Sequence, residues 1–183
     1  MNELVVIVFT LYYLLPAMVA NATPVLIKKG HPLDSGKTLS DGFRLFGDGK
    51  TFEGFFAGST AGIIISVLEA FLATKRIETL VIDSSLSIGA LLGDLAGAFI
   101  KRRLGFPRGS PAPLLDQLDF VLGGYFLSSL ISVFLNGNFE VFGDLLPASL
   151  QLQIVTTSLY IIPIIHLLTN RIAYRLKLKG FPW

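Results

Sequence analysis

Apolar residues gather in five long runs with polar stretches between them: Leu4 to Ile27, Phe55 to Ala73, Leu80 to Ile100, Phe120 to Phe139 and Leu145 to Asn170. A helix needs about 20 mostly apolar residues to cross a bilayer, and each run is close to that length or above it. The first, fourth and fifth runs carry no Lys, Arg, Asp or Glu. The second carries Glu69, and the third carries Asp83 and Asp94. The pattern predicts an all-α integral membrane protein with five transmembrane helices and one domain over residues 1–183. Pro16, Pro24 and Pro163 predict kinks or helix ends.

Composition agrees with this. The chain is 52% hydrophobic and 15% charged, with a mean hydropathy of +0.66; soluble domains carry about 25% charged residues. The chain has no cysteine, which excludes disulfides and thiolate chemistry, and its two histidines argue against a His-rich metal site. The first run lacks a basic leader. Glu3 precedes it and Lys28-Lys29 follow, the polarity of a retained helix and not of a cleaved signal.

Net charge is only +2, but its placement is uneven. With alternating loops, one side receives Lys28, Lys29, Lys37, Arg44, Lys50, Lys101, Arg102, Arg103, Arg108, Arg171, Arg175, Lys177 and Lys179, thirteen in all; the other receives Lys75 and Arg76. Basic loops stay in the cytoplasm, so the N-terminus is expected outside and the C-terminus inside. The loops at about 28–53 and 101–119 are then cytoplasmic, and the active site is expected on that face of the cell membrane.

A charge within a bilayer span is costly, so Asp94 is a candidate functional residue. It lies about 10 Å inside the cytoplasmic end of the third helix. Lys101 is seven residues on and shares its face if the helix continues. Asp116 and Asp119 are three apart at the start of the fourth helix, where the dipole favours carboxylates. They can meet Asp94 across the 101–115 hairpin, and three converging carboxylates call for a cation. Hard oxygen ligands suit Mg²⁺. Lys101, Arg102, Arg103 and Arg108 can neutralise phosphate oxygens. Two plainer readings stand beside these: Asp116 and Asp119 as helix caps, and Lys101–Arg103 as a topology signal.

Gly47-Asp48-Gly49-Lys50-Thr51 is not a P-loop, because Arg44 stands where a Walker motif needs glycine and no apolar strand precedes it. It reads as a Gly-rich turn before the second helix that offers N–H groups and Lys50 to phosphate, or as an ordinary surface turn. Glu69 reads as snorkelling to the outer interface. His166 reads as a packing residue or a proton carrier. Asn21 and Pro24 form a polar notch at the inner interface. The Arg171–Lys179 tail reads as touching anionic lipid.

Together these residues resemble the CDP-archaeol synthase family, relatives of the phosphatidate cytidylyltransferases. The resemblance covers most of the chain. It rests on Asn21-x-x-Pro24-Val25, Pro32-Leu33-Asp34-x-Gly36, Gly47-Asp48-Gly49-Lys50-Thr51-x-x-Gly54, Gly93-Asp94-Leu95, Phe99-Ile100-Lys101-Arg102-Arg103-Leu104-Gly105, Arg108-Gly109 and Pro113-Leu114-Leu115-Asp116-Gln117-Leu118-Asp119. The looser phosphatidate pattern has Ser where Ala98 stands and Arg where Gln117 stands. The resemblance implies Mg²⁺-dependent transfer of CMP from CTP to 2,3-di-O-geranylgeranylglyceryl phosphate. Partners would be CTP, the isoprenoid diether lipid phosphate and membrane lipids, without nucleic acid. Asp94, Asp116 and Asp119 would serve the metal, and with Lys101 the chemistry. Asp48, Gly49, Lys50, Thr51, Lys101, Arg102 and Arg108 would serve the phosphates, and Asn21 and Pro24 the lipid. An acyltransferase-like lipid transferase and a small transporter are the rival classes. A CDP-alcohol phosphotransferase is not, because Asp41-Gly42-Phe43-Arg44 does not continue as that motif requires.

Overall fold

The computed structural model describes residues 2–27, 29–73, 76–107, 109–143 and 146–182. Within them the chain is all-helical: α1 (Glu3–Ala22) with a 3-10 turn at Thr23–Leu26, α2 (Phe52–Ala73), α3 (Ile77–Arg103), α4 (Leu115–Asn136) and α5 (Ala148–Arg175). All five are long and apolar enough to cross a membrane. Phe56, Phe71 and Leu72 of α2, Phe126 and Phe134 of α4, and Tyr160 of α5 turn outward. Apolar side chains that cover an outer surface in this way need lipid around them.

The helix ends differ from the apolar runs for local reasons. α2 begins at Phe52, because the Thr51 hydroxyl accepts the Gly54 N–H at 3.1 Å and Glu53 favours the helix N-terminus. α3 continues through Lys101–Arg103, where cations suit the C-terminal dipole. Its 27 residues span about 40 Å, more than the roughly 30 Å of hydrocarbon, so the basic turn can stand in the headgroups. α4 starts at Leu115 and stops at Gly137, whose φ of 70° ends the helix. α5 starts after Pro147 and runs past Asn170 to Arg175; Leu145, where its run was expected to begin, lies outside the described residues. Pro16 and Pro163 sit within α1 and α5 without ending them, whereas Pro24 opens the 3-10 turn.

α3 packs against α1, α2 and α4. Leu86 and Ala90 meet a core of Tyr13, Leu14, Phe120, Val121, Tyr125 and Phe142. The closest approach is between α3 and α4. A Cβ added at Gly93 would lie 2.1 Å from the Asp119 carbonyl, and one at Gly89 would lie 2.5 Å from that of Gly123. Only glycine lets the two backbones come this near. Glu69 does not snorkel outward. It is buried, on the face of α2 that carries Gly58, Gly62 and Ser66. At that end of the bundle the Gly143 N–H donates to Asp83 at 3.2 Å, and Thr79 donates to the Gly143 carbonyl at 2.7 Å.

Candidate active site

At the opposite end, the 29–51 segment folds over the tips of α3 and α4. Asp34 is its centre. Buried to 3% exposure, it accepts from Arg44 through both oxygens and from the N–H groups of Gly36, Phe46 and Gly47 at 2.9–3.1 Å. The Arg44 guanidinium, and then these amides, hold the Asp34 carboxyl well below the usual carboxylate range against the opposing effect of burial. Arg44 is raised in turn, first by Asp34. Its other Nη donates to Asp48 at 2.9 Å.

Arg103, at the end of α3, fastens this loop. Its Nη1 donates to both Asp41 oxygens at 2.8 and 2.6 Å and its Nη2 to the Phe43 and Arg44 carbonyls at 3.0 and 2.6 Å, with the guanidinium over the Phe99 ring. These four hydrogen bonds exceed the three donors of an ammonium, whereas a planar guanidinium has five. Arg103 was read as a phosphate partner, and here it is the loop's tether. Neither its role nor that of Asp34 was visible in sequence, because both depend on partners about 10 and 60 residues away.

The loop and the helix tips enclose a cleft of about 370 Å³. Asp94, Asp116 and Asp119 all line it, as do Asp48, Gly49, Lys50, Lys101 and Arg102, with Ala98 in its wall. Lys50 donates to Asp94. Lys101 donates to both Asp116 oxygens at 2.8 and 3.1 Å, and the Ala112 N–H adds a 2.9 Å bond. Asp119 accepts from the Phe120 N–H at 2.7 Å and rests against Gly97, where a Cβ would lie 2.1 Å from its Oδ2. Among the described residues no cation pairs with Asp119, and no three acidic or histidine side chains are close enough together to hold a metal. The expected carboxylates therefore share one cleft, with two of them balanced by lysines.

Other expected residues fall nearby or elsewhere. Thr51 caps α2 and lines a smaller cavity of about 40 Å³ with Pro24, Phe55, Leu91 and Leu95; Lys50 and Asp94 line both cavities. Asn21 is half-buried and lines neither among the described residues. Arg108, Lys28 and Lys75 lie outside those residues. Gln117, in place of the phosphatidate enzymes' Arg, accepts from the Leu114 N–H at 3.4 Å and helps start α4. His166 contacts Asn170 at 3.3 Å and the Phe120 ring at 6.1 Å between centroids.

The family model described as CarS-like CDP-archaeol synthase matches residues 3–183. The CDP-archaeol synthase of Sulfolobus acidocaldarius is 42% identical over 94% of this chain and 96% of its own. That of Thermofilum pendens is 45% identical over 95% of this chain and 80% of its own. A solved structure described as an intramembrane enzyme for archaeal membrane lipids biosynthesis superposes with a TM-score of 0.69 at 42% identity, covering 87% of this chain and 91% of that one. With a polar cleft at one end of five membrane helices, and likeness of this extent, the chain belongs to the CDP-archaeol synthase family and is a membrane cytidylyltransferase.

Proposed function

We propose that the chain transfers CMP from CTP to the phosphate of 2,3-di-O-geranylgeranylglyceryl phosphate and releases pyrophosphate. The observation that carries this reading is the cleft itself. It has the size of a small-molecule site, opens at the end of membrane helices, and gathers three carboxylates with Lys50, Lys101 and Arg102. An oxygen of the lipid phosphate attacks the α-phosphorus of CTP. The new O–P bond forms as the bond to the β-phosphate oxygen breaks, and the electron pair leaves with pyrophosphate. The nucleophile is already an anion, so no side chain has to remove a proton. Lys50, Lys101 and Arg102 hold phosphate oxygens and keep the two reactants in line.

The donor set also suits Mg²⁺, a hard cation that takes a few carboxylates and completes its shell with phosphate and water. Asp94, Asp116 and Asp119 line the cleft without being grouped tightly enough to hold it as they stand, and would hold it once Lys50 and Lys101 turn toward phosphate and the carboxylates draw together. Bound there, it would neutralise the triphosphate and the charge that develops on pyrophosphate. Purified protein, incubated with each labelled nucleoside triphosphate, Mg²⁺ and the lipid phosphate, should form a CDP-lipid from CTP alone. A metal-independent acyl transfer would favour the acyltransferase reading, and flux without turnover the transporter.

The same reading sets the cleft in the cytoplasm, with residue 1 outside and residue 183 inside, on the strength of the thirteen-to-two basic bias. The chain has no native cysteine, so Ser110→Cys gives a clean test. An impermeant thiol reagent should label it only after cells are opened; labelling of sealed cells would reverse the orientation.

Gly97→Ala tests the close seat of Asp119. The added methyl would meet Asp119 Oδ2 at 2.1 Å and its Cγ at 2.9 Å. Overpacking of this kind costs about 1–3 kcal/mol, and displacing a reacting group costs more in rate than in stability. We expect CMP transfer to fall by about tenfold or more with helix content unchanged by circular dichroism. Full activity would mean that Asp119 need not rest on α3.

A further inference from the structure

Two chemically different walls line the cleft. The helix tips give it Asp94, Lys101, Asp116 and Asp119, and the loop gives it Phe43, Arg44, Phe46 and Asp48. Asp48 was expected to serve the phosphates, yet a carboxylate repels a phosphate beside it. Its own partner suggests other work. Arg44 commits Nε and Nη2 to the buried Asp34, and one Nη1 proton to Asp48 Oδ1 at 2.9 Å. A guanidinium has five N–H donors, so among the described residues one remains on each Nη. The Asp48 side chain is 59% exposed, and among the described residues its Oδ2 has no partner. A free donor and a free acceptor therefore stand side by side in the cleft wall, anchored through Asp34. Two phenylalanines flank them, also fastened by their backbones: the Phe43 N–H donates to Asp41 at 3.0 Å and its carbonyl accepts from Arg103 at 3.0 Å, while the Phe46 N–H donates to Asp34 at 3.1 Å.

We infer that Asp48 and Arg44 read the base of the nucleotide and make the cleft specific for cytosine. The inference rests on the proposed function and assigns the base, which the phosphate-binding groups do not read. Cytosine presents an acceptor, N3, beside a donor, the 4-amino group. Asp48 Oδ2 accepts from the amine, and the remaining Nη1 proton of Arg44 goes to N3. Uracil presents the reverse, an N3–H donor beside the O4 acceptor. It would set O4 against a carboxylate and N3–H against a guanidinium, and mismatched groups of this kind are costly. Adenine carries the cytosine pattern farther from the sugar, so its rejection is a matter of reach and not of this pair. Phe43 and Phe46 supply aromatic surface for the ring, which holds any base without telling one from another. Asp48 is two residues from Lys50, at most about 7 Å of backbone, and Lys50 meets Asp94. One nucleotide can thus bridge the reading pair and the groups that hold its phosphates.

The test is equilibrium binding of CTP, UTP and two CTP analogues to full-length protein in detergent with Mg²⁺, with CMP transfer measured in parallel. One analogue, 2-pyrimidinone riboside triphosphate, lacks only the 4-amino group; the other, 3-deaza-CTP, replaces N3 by C–H. Wild-type protein should bind CTP about tenfold or more tighter than each of the three, the loss of one charge-assisted hydrogen bond. Asp48→Ala should bring CTP and the amino-free analogue to equal affinity by weakening CTP, and Asp48→Asn, whose amide can turn a donor toward O4, should bind UTP better than Asp48→Ala does. Phe43→Ala should weaken CTP and UTP by the same factor and leave their ratio unchanged. An undiminished preference for CTP in Asp48→Ala overturns the proposal. So does an equal loss of preference in Phe43→Ala, which would mean that the ratio reports only the integrity of the loop. Full-strength binding of 3-deaza-CTP overturns the part given to Arg44. Wild-type protein that binds CTP selectively but transfers no CMP would overturn the reaction instead, and the binding comparison would still decide how the base is read.

Discussion

Asp119→Asn is expected to reduce CMP transfer by about 100-fold or more, the usual loss when a preorganised charge is removed from a reacting centre. Asn keeps the shape of the side chain, so its seat on Gly97 and the bond from the Phe120 N–H are retained. What is lost is the negative charge. The same experiment gives a second, opposite readout. Among the described residues Asp119 has no cation partner, and it shares its cleft with Asp94 and Asp116. In metal-free buffer, removing one of three like charges should raise the thermal midpoint. Asp94→Asn and Asp116→Asn should abolish transfer to a similar degree but lower the midpoint, because each strands a partly buried lysine, Lys50 or Lys101. The pattern of activity lost in all three, with stability gained in one and lost in two, is specific to this arrangement. Near-wild-type turnover in Asp119→Asn would remove that residue from the site.

The five helices were legible in the sequence because bilayer spans announce themselves by length and hydropathy alone. Their ends were not, since Thr51, Gly137 and the basic turn at 101–103 act through local capping and dipole effects that an apolar run does not record. Asp94, Asp116 and Asp119 could be placed together because α3 and α4 form an antiparallel pair with a short connection. The pairing of Lys50 with Asp94 could not. It joins residues 44 apart through a loop whose path is set by Asp34, Arg44 and Arg103. The partners of those three cannot be read from the sequence, since nothing in a linear pattern says which carboxylate a distant guanidinium will find. Lys177 and Lys179 are equivalent as composition, and only the turn at the end of α5 distinguishes the exposed Lys177 from the half-buried Lys179.

Lys101→Gln should lower CMP transfer by about 100-fold while leaving the orientation of the protein unchanged. Two readings of Lys101 make opposite forecasts. As a topology signal it is one of thirteen inward basic residues, and the twelve that remain preserve the charge bias; the substitution should then be silent. As a cleft residue it has no substitute. Its side chain is 14% exposed and its ammonium is fixed by both Asp116 oxygens. It lies seven residues beyond Asp94 on a helix that does continue to Arg103, so both groups face the same cavity. Lys101→Arg is the finer probe. A planar fork can still meet Asp116 in a bidentate pair, but it cannot give one point charge to a single phosphate oxygen. Transfer should therefore fall only in part, with CTP binding weakened and the protein as stable as before. Lys177→Gln should cost much less than Lys101→Gln, since it changes the net charge equally at an exposed position. Equal losses at the two would point to surface charge in general, and an inactive Lys101→Gln protein that binds CTP normally would confine Lys101 to holding Asp116.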